Sequence, residues 1–185
     1  MVHLIIEPGD TSLATVIPQD AVDWILIELR SEDESLSVFK AALLLGDGTV
    51  IDCLTGSAPL SFRLYPGLFF IRLHHRNHLP VISSAAVEFT DSVSYDFTSS
   101  ADRYYRQSGC LELKAWTWGM IAGHTEQGDL NIFAGDLAVI VRAIDSAASG
   151  YFIGDINLDG RVTDDDYDMA RGNMLLGAFV ENAWP

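Results

Sequence analysis

The chain is short of positive charge. Eleven Lys and Arg stand against 26 Asp and Glu in 185 residues, a formal charge of -15. A field of that sign repels phosphate backbones and anionic lipid surfaces, so no nucleic-acid partner is expected. Cysteine is nearly absent. Cys53 and Cys110 are too few for a disulfide framework and leave two alternatives, one long-range bridge or two buried thiols. No apolar run is long enough to span a bilayer, and no membrane insertion is expected. The opening Met1 to Pro8 lacks a basic start, and its apolar stretch is too short for a signal peptide. The chain therefore reads either as cytoplasmic or as a piece of a longer secreted protein. Signatures of catalysis are missing as well: there is no G-x-S-x-G, phosphate-binding glycine loop or H-E-x-x-H.

Hydrophobic residues make up 49% and charged residues 20%, a balance that builds packed cores. The first 98 residues read as strands. Trp24 to Arg30 is rich in branched and aromatic residues and ends in a charged loop, Ser31 to Ser35. Val38 to Leu45 leads through Gly46-Asp47-Gly48, a hairpin signal, into Thr49 to Cys53. Pro59 to Leu64, the turn Tyr65-Pro66-Gly67 and Leu68 to His74 follow, then two shorter runs, Ala85 to Phe89 and Val93 to Phe97. Many short strands separated by Gly and Pro turns predict a β-sandwich. Residues 99–121 read as a linker or bridging strand segment, in which Leu111, Leu113, Trp116 and Trp118 are the apolar anchors.

The chemistry lies near the C-terminus. Asp155-Ile156-Asn157-Leu158-Asp159-Gly160-Arg161-Val162-Thr163-Asp164-Asp165-Asp166 reads D-x-N-x-D-G-x-V-x-x-x-D, a loop of twelve positions suited to calcium. Calcium takes several hard oxygen ligands, so side chains at positions 1, 3 and 5 must turn inward together. The predicted ligands are Asp155, Asn157, Asp159, the Arg161 carbonyl and Asp166, with Gly160 supplying the bend and Val162 tying the loop to a core. Position 12 is Asp, one methylene shorter than the usual Glu.

A thirty-residue shift finds a second copy. Thr125, Gln127 and Asp129 fall under Asp155, Asn157 and Asp159, while Asn131 falls under Arg161 and Asp136 under Asp166. Leu137, Ile140 and Ile144 fall over Tyr167, Ala170 and Met174, an apolar face at helical spacing in each copy. This earlier loop has Thr and Gln where two of the usual Asp or Asn ligands would sit, and Leu130 replaces its bend glycine. It reads as structurally retained, a second site with weak or absent calcium binding.

Two resemblances follow from these residues. Gly154 to Val162 resembles the opening of a type I dockerin repeat, an EF-hand-like calcium loop, and dockerins share the Asp at position 12. Asp47-Gly48, Phe62 to Gly67 and Phe69-Phe70-Ile71 are similar to prealbumin-like and carboxypeptidase-regulatory-like sandwiches of bacterial surface proteins. Together they imply an α+β multidomain chain. An antiparallel Ig-like or prealbumin-like β-sandwich would occupy residues 1–98, and a small dockerin-like duplicated loop–helix module residues 122–185. They imply a non-catalytic calcium-binding protein, extracellular or at the cell surface, that acts in attachment or docking. The partner implied is a cohesin-like or scaffold protein met through loop positions 10 and 11, Asp164 and Asp165; packing within a larger parent protein is the other option. The alternative is a carbohydrate-binding module stacking sugars on Trp116 and Trp118, or a small carbohydrate-active enzyme fragment with scattered carboxylates. His74, His75 and His78 invite a zinc reading, but neighbours on a strand point to opposite faces. A structural strand end is expected there, with Arg76 and Asn77 bonding loop carbonyls.

Overall fold

A computed structural model describes residues 2–4 and 17–180, apart from residues 58, 63, 91, 92 and 127. The fold is mixed α+β, mostly antiparallel sheet with two helices. The main sheet is built around β2 (Ala21–Ser31), flanked by β3 (Ser37–Leu45) and β6 (Gly67–His75). β4 (Val50–Asp52) extends one edge, while β7 (His78–Ile82) and β8 (Val87–Phe89) both pair with β6. Alternation explains the central strand: Ile25, Ile27 and Leu29 point into one core with Ala42, Phe69 and Ile71. A two-stranded parallel pair, β1 (Val2–Leu4) with β5 (Leu60–Phe62), adds Leu60 and Phe62 to that core.

Most expected strands are present, with three differences. The run Val93 to Phe97 forms no strand, although Val93, Tyr95 and Phe97 pack against the core. β5 does not pair with β6 across Pro66-Gly67; it pairs with β1, so that turn redirects the chain instead of closing a hairpin. β7 is a strand beyond those expected: its Pro80 removes a ladder donor and argues against a strand in the sequence.

Residues 99–121 are structured. Three short 3-10 turns lead into a hairpin of β9 (Cys110–Lys114) and β10 (Thr117–Met120). Trp116 sits in its tight turn with φ 65° and an indole 88% exposed, whereas Trp118 lies in β10 opposite Glu112. The two indoles therefore do not line one strand face. Cys53 is buried, Cys110 is half-buried, and neither is in a disulfide. Among the described residues, no helix is long and apolar enough to cross a membrane.

The helices are α1 (Ala134–Asp145) and α2 (Asp164–Leu175), each of twelve residues. Leu137, Ile140 and Ala143 of α1 meet Ala170 of α2, with Ile156 and Val162 from the preceding loop closing the same core. Each loop–helix unit is finished by the other. Asn131 bridges to Phe179, and Ser149 bridges to Arg161. The flanking bonds match under the same shift: Ile132 N donates to Ala178 O (3.1 Å) and Val162 N to Ala148 O (3.2 Å). Val180 N donates to Leu130 O (2.7 Å) and Gly150 N to Gly160 O (2.8 Å). The pair is thus related by an approximate twofold axis, with the closing segments exchanged.

Candidate functional site

In the loop before α2, short polar side chains fold onto their own backbone. Asp155 Oδ1 accepts from Asp159 N (3.0 Å) and its Oδ2 from Gly160 N (3.1 Å). Asn157 Oδ1 accepts from Asp159 N (2.9 Å), and Asp159 Oδ1 accepts from Arg161 N (2.9 Å). Asn157 Nδ2 donates to Asp159 Oδ2 (3.2 Å). Such bonds are the habit of Asx residues in turns, and here they bring the Asp155 and Asn157 oxygens to the same Asp159 amide. Leu158 and Gly160 both have left-handed φ, 62° and 88°, and Gly160 takes it without strain.

Asp166 closes the loop. Its carboxylate is fully buried; Oδ1 accepts from Ile156 N (2.7 Å) and Asn157 N (3.0 Å), and Oδ2 from Thr163 N (2.8 Å) and, more weakly, Thr163 Oγ1 (3.4 Å). The last bonds also cap the N-terminus of α2, where negative charge meets unpaired amides. A carboxylate has about four lone-pair sites, and these contacts fill them. Asp155, Asn157 and Asp159 keep acceptor capacity, and the Gly160 and Val162 pairing leaves the Arg161 carbonyl out of the bridge. Asp164 and Asp165 lie exposed on the first turn of α2.

The earlier loop keeps the closure, but its first side chain bonds elsewhere. Asp136, also fully buried, accepts from Thr125 N (2.6 Å), Glu126 N (2.8 Å) and Phe133 N (3.0 Å). Asn131 N still donates to Asp129 Oδ1 (2.9 Å). Thr125, however, turns its hydroxyl to donate to Asp136 O (2.9 Å) instead of facing the loop. Leu130 lacks the left-handed turn of its counterpart Gly160, and Gly128 (φ 127°) makes the bend two positions earlier. Gln127 lies outside the described residues. His124 is buried, and its Nε2 lies 3.7 Å from Asp129 Oδ1 without a hydrogen-bond partner. Among the described residues, no three His, Cys, Asp or Glu side chains converge as they stand on one metal position.

The histidine-rich turn between β6 and β7 lies against this unit. His78 Nδ1 is 2.8 Å from both His75 Nδ1 and Asn77 Oδ1, and His75 Nε2 lies 3.2 Å from Asp23 Oδ2 without hydrogen-bond geometry. One assignment satisfies the pair: His78 Nδ1 carries the proton, His75 Nδ1 accepts, and the His75 Nε2 proton faces Asp23. His74 turns away to Glu28, 3.0 Å from its carboxylate. As expected, Arg76 donates to Phe152 O and Asn77 Nδ2 to Ile153 O (3.2 Å) and Asp155 O (2.6 Å). Spacing alone did not reveal that Asn77 is fully buried, since an Arg-Asn turn reads as solvated.

A cleft of about 710 Å³ is lined, among the described residues, by Arg72, Gly128 to Asn131, Phe179 and Val180. No protein-family description, curated protein or solved structure matches this chain.

Proposed function

We propose that the chain is a non-catalytic calcium-binding module of an extracellular or cell-surface protein, with calcium as a structural ion in the loop 155–166. The observation that carries this reading is the ring of Asp155, Asn157 and Asp159. Each of their oxygens accepts a single bond within the loop and keeps a lone pair for an ion. With the Arg161 carbonyl they supply the hard oxygens that calcium prefers. Asp166 reaches an ion only by releasing a backbone amide, which points to modest affinity. Dissociation constants of about 0.1–1 mM are typical of extracellular EF-type modules. The first loop, with Thr125 turned away, has a weaker set in Asp129, Asn131 and Asp136.

On this reading the sheet is an Ig-like or prealbumin-like sandwich and the helix pair a dockerin-like unit. Exposed Asp164 and Asp165 then offer an acidic docking edge to a cohesin-like or scaffold partner.

The ion stabilises the ordered loop by RT ln(1 + [Ca]/Kd), about 2.7 kcal/mol at a hundredfold excess over Kd. Thermal unfolding of the full chain in calcium and in chelator tests this. Calcium should raise the melting temperature of the natural protein and leave Asp155→Ala/Asp159→Ala unmoved. Superimposable curves for both proteins would remove the structural ion.

A further inference from the structure

Asn77 stands where the sheet meets both repeats. Its carbonyl accepts from Gly123 N (2.8 Å) and His124 N (3.1 Å), just ahead of the first loop. Its Nδ2 donates to Ile153 O and Asp155 O, at the head of the second. Residues 123 and 153 are equivalent under the thirty-residue shift, so one asparagine sits at the approximate twofold axis. Its main chain serves one repeat and its side chain the other. Asn77 Oδ1 accepts from His78 Nδ1, so both polar ends of this buried side chain are bonded. Arg76 adds a charged clamp. Its Nε donates to Asp23 Oδ2 (2.8 Å), its guanidinium lies 4.4 Å from the centre of the Tyr151 ring, and Nη2 is 3.7 Å from Asp155 Oδ2.

We infer that the Arg76–Asn77 turn is the positioning element of the calcium loop, and that it couples ion binding at Asp155 to strands β6 and β7. The inference rests on the calcium reading above. The bond from Asn77 Nδ2 fixes the backbone of Asp155, from which that residue's carboxylate enters the ring. Ordering Asp155 around an ion therefore tightens the bond to Asn77, and through it the hairpin. Two packed elements that share a fully bonded polar residue respond together, because an unmade buried bond costs far more than an exposed one. The exchanged closing segments carry the effect to both loops.

Hydrogen exchange of the full chain in calcium chloride and in chelator, at constant ionic strength, tests the coupling peptide by peptide. Calcium is expected to slow exchange about tenfold in residues 150–166 and also in residues 67–82. A tenfold change is the weight of one buried hydrogen bond. In Asn77→Asp, which keeps size and the acceptor for His78 but loses the donor, calorimetric titration should give a calcium Kd raised about tenfold. Protection should then be confined to the loop. Protection confined to the loop in the natural protein overturns the coupling and leaves the calcium reading standing. No protection anywhere overturns both. An unchanged Kd and unchanged spread in Asn77→Asp also overturn the coupling. Should that variant fail to fold, the natural protein's own exchange map decides.

Discussion

Ala147 and Gly177 occupy the same place after α1 and α2, and both have left-handed backbone, φ 50° and 69°. Glycine adopts this freely, whereas a Cβ there costs about 1 kcal/mol. Ala147→Gly is therefore expected to stabilise the protein by about 1 kcal/mol, moving the melting temperature up by about 2–4 °C for a chain of this size. Differential scanning calorimetry resolves that shift. A second site is buried in the sheet. Lys40 Nζ donates to the Asp52 carboxylate and to Ser61 O (3.3 Å). Burial alone would raise the Asp52 pKa; the Lys40 ammonium and the Leu54 amide outweigh it and hold the carboxyl below its ordinary value. Lys40→Met leaves that carboxylate buried without its cation and should cost about 3–5 kcal/mol, with most of the loss recovered in Lys40→Met/Asp52→Leu. Urea denaturation of the three proteins tests the pair. The pattern of β3 hid it: Phe39 is 40% exposed while its neighbour Lys40 is buried, the reverse of what the residue types suggest.

At the scale of elements, the β6–β7 turn makes the fold sensitive to acid. Burial, with like charge from His75 and Arg76 and only partial relief from Asp23, pulls the His78 pKa down to about 3 from an ordinary 6.5. Between those values the unfolded chain binds the proton and the folded chain does not, so stability falls as pH drops from about 6.5 toward 3. Asp23 acts in the same direction lower down. Burial would raise its pKa, but His75 and Arg76 hold it far below the ordinary 3.8, so its stabilising charge is lost only in strong acid. His78→Gln should flatten the stability curve between pH 6.5 and 4 while leaving the steeper loss below. Equal urea midpoints for the natural protein at pH 7 and pH 5 would contradict a neutral buried His78. The elements differed in legibility for physical reasons. β2, β3, β6 and both helices carry a period of their own, and duplication exposed α1 even where its loop chemistry had faded. β7 was masked by Pro80. The β1–β5 pairing has no local signal, since parallel partners far apart in sequence share no turn.

At the scale of the molecule, the acidic loop and its glycine were legible because its side chains bond backbone amides only two to five positions further along the same stretch. What held that loop was not legible, since the Arg76–Asn77 turn lies some eighty residues away and meets it only in the fold. The chain that read as two parts joined by a linker has a hairpin, β9–β10, where the linker was expected, and hydrogen bonds of Asn77 and Leu79 tie the sheet to the segments that lead into both loops. Calcium-dependent heating curves are therefore expected to show one transition that moves as a whole. The exchanged pairing has a practical corollary. Phe179 and Val180 look like a trailing end beyond the last helix, yet they splint the opposite loop at Leu130 to Ile132. A clone trimmed neatly at the close of α2 would leave its own final turn intact and spring open the one forty-five residues upstream.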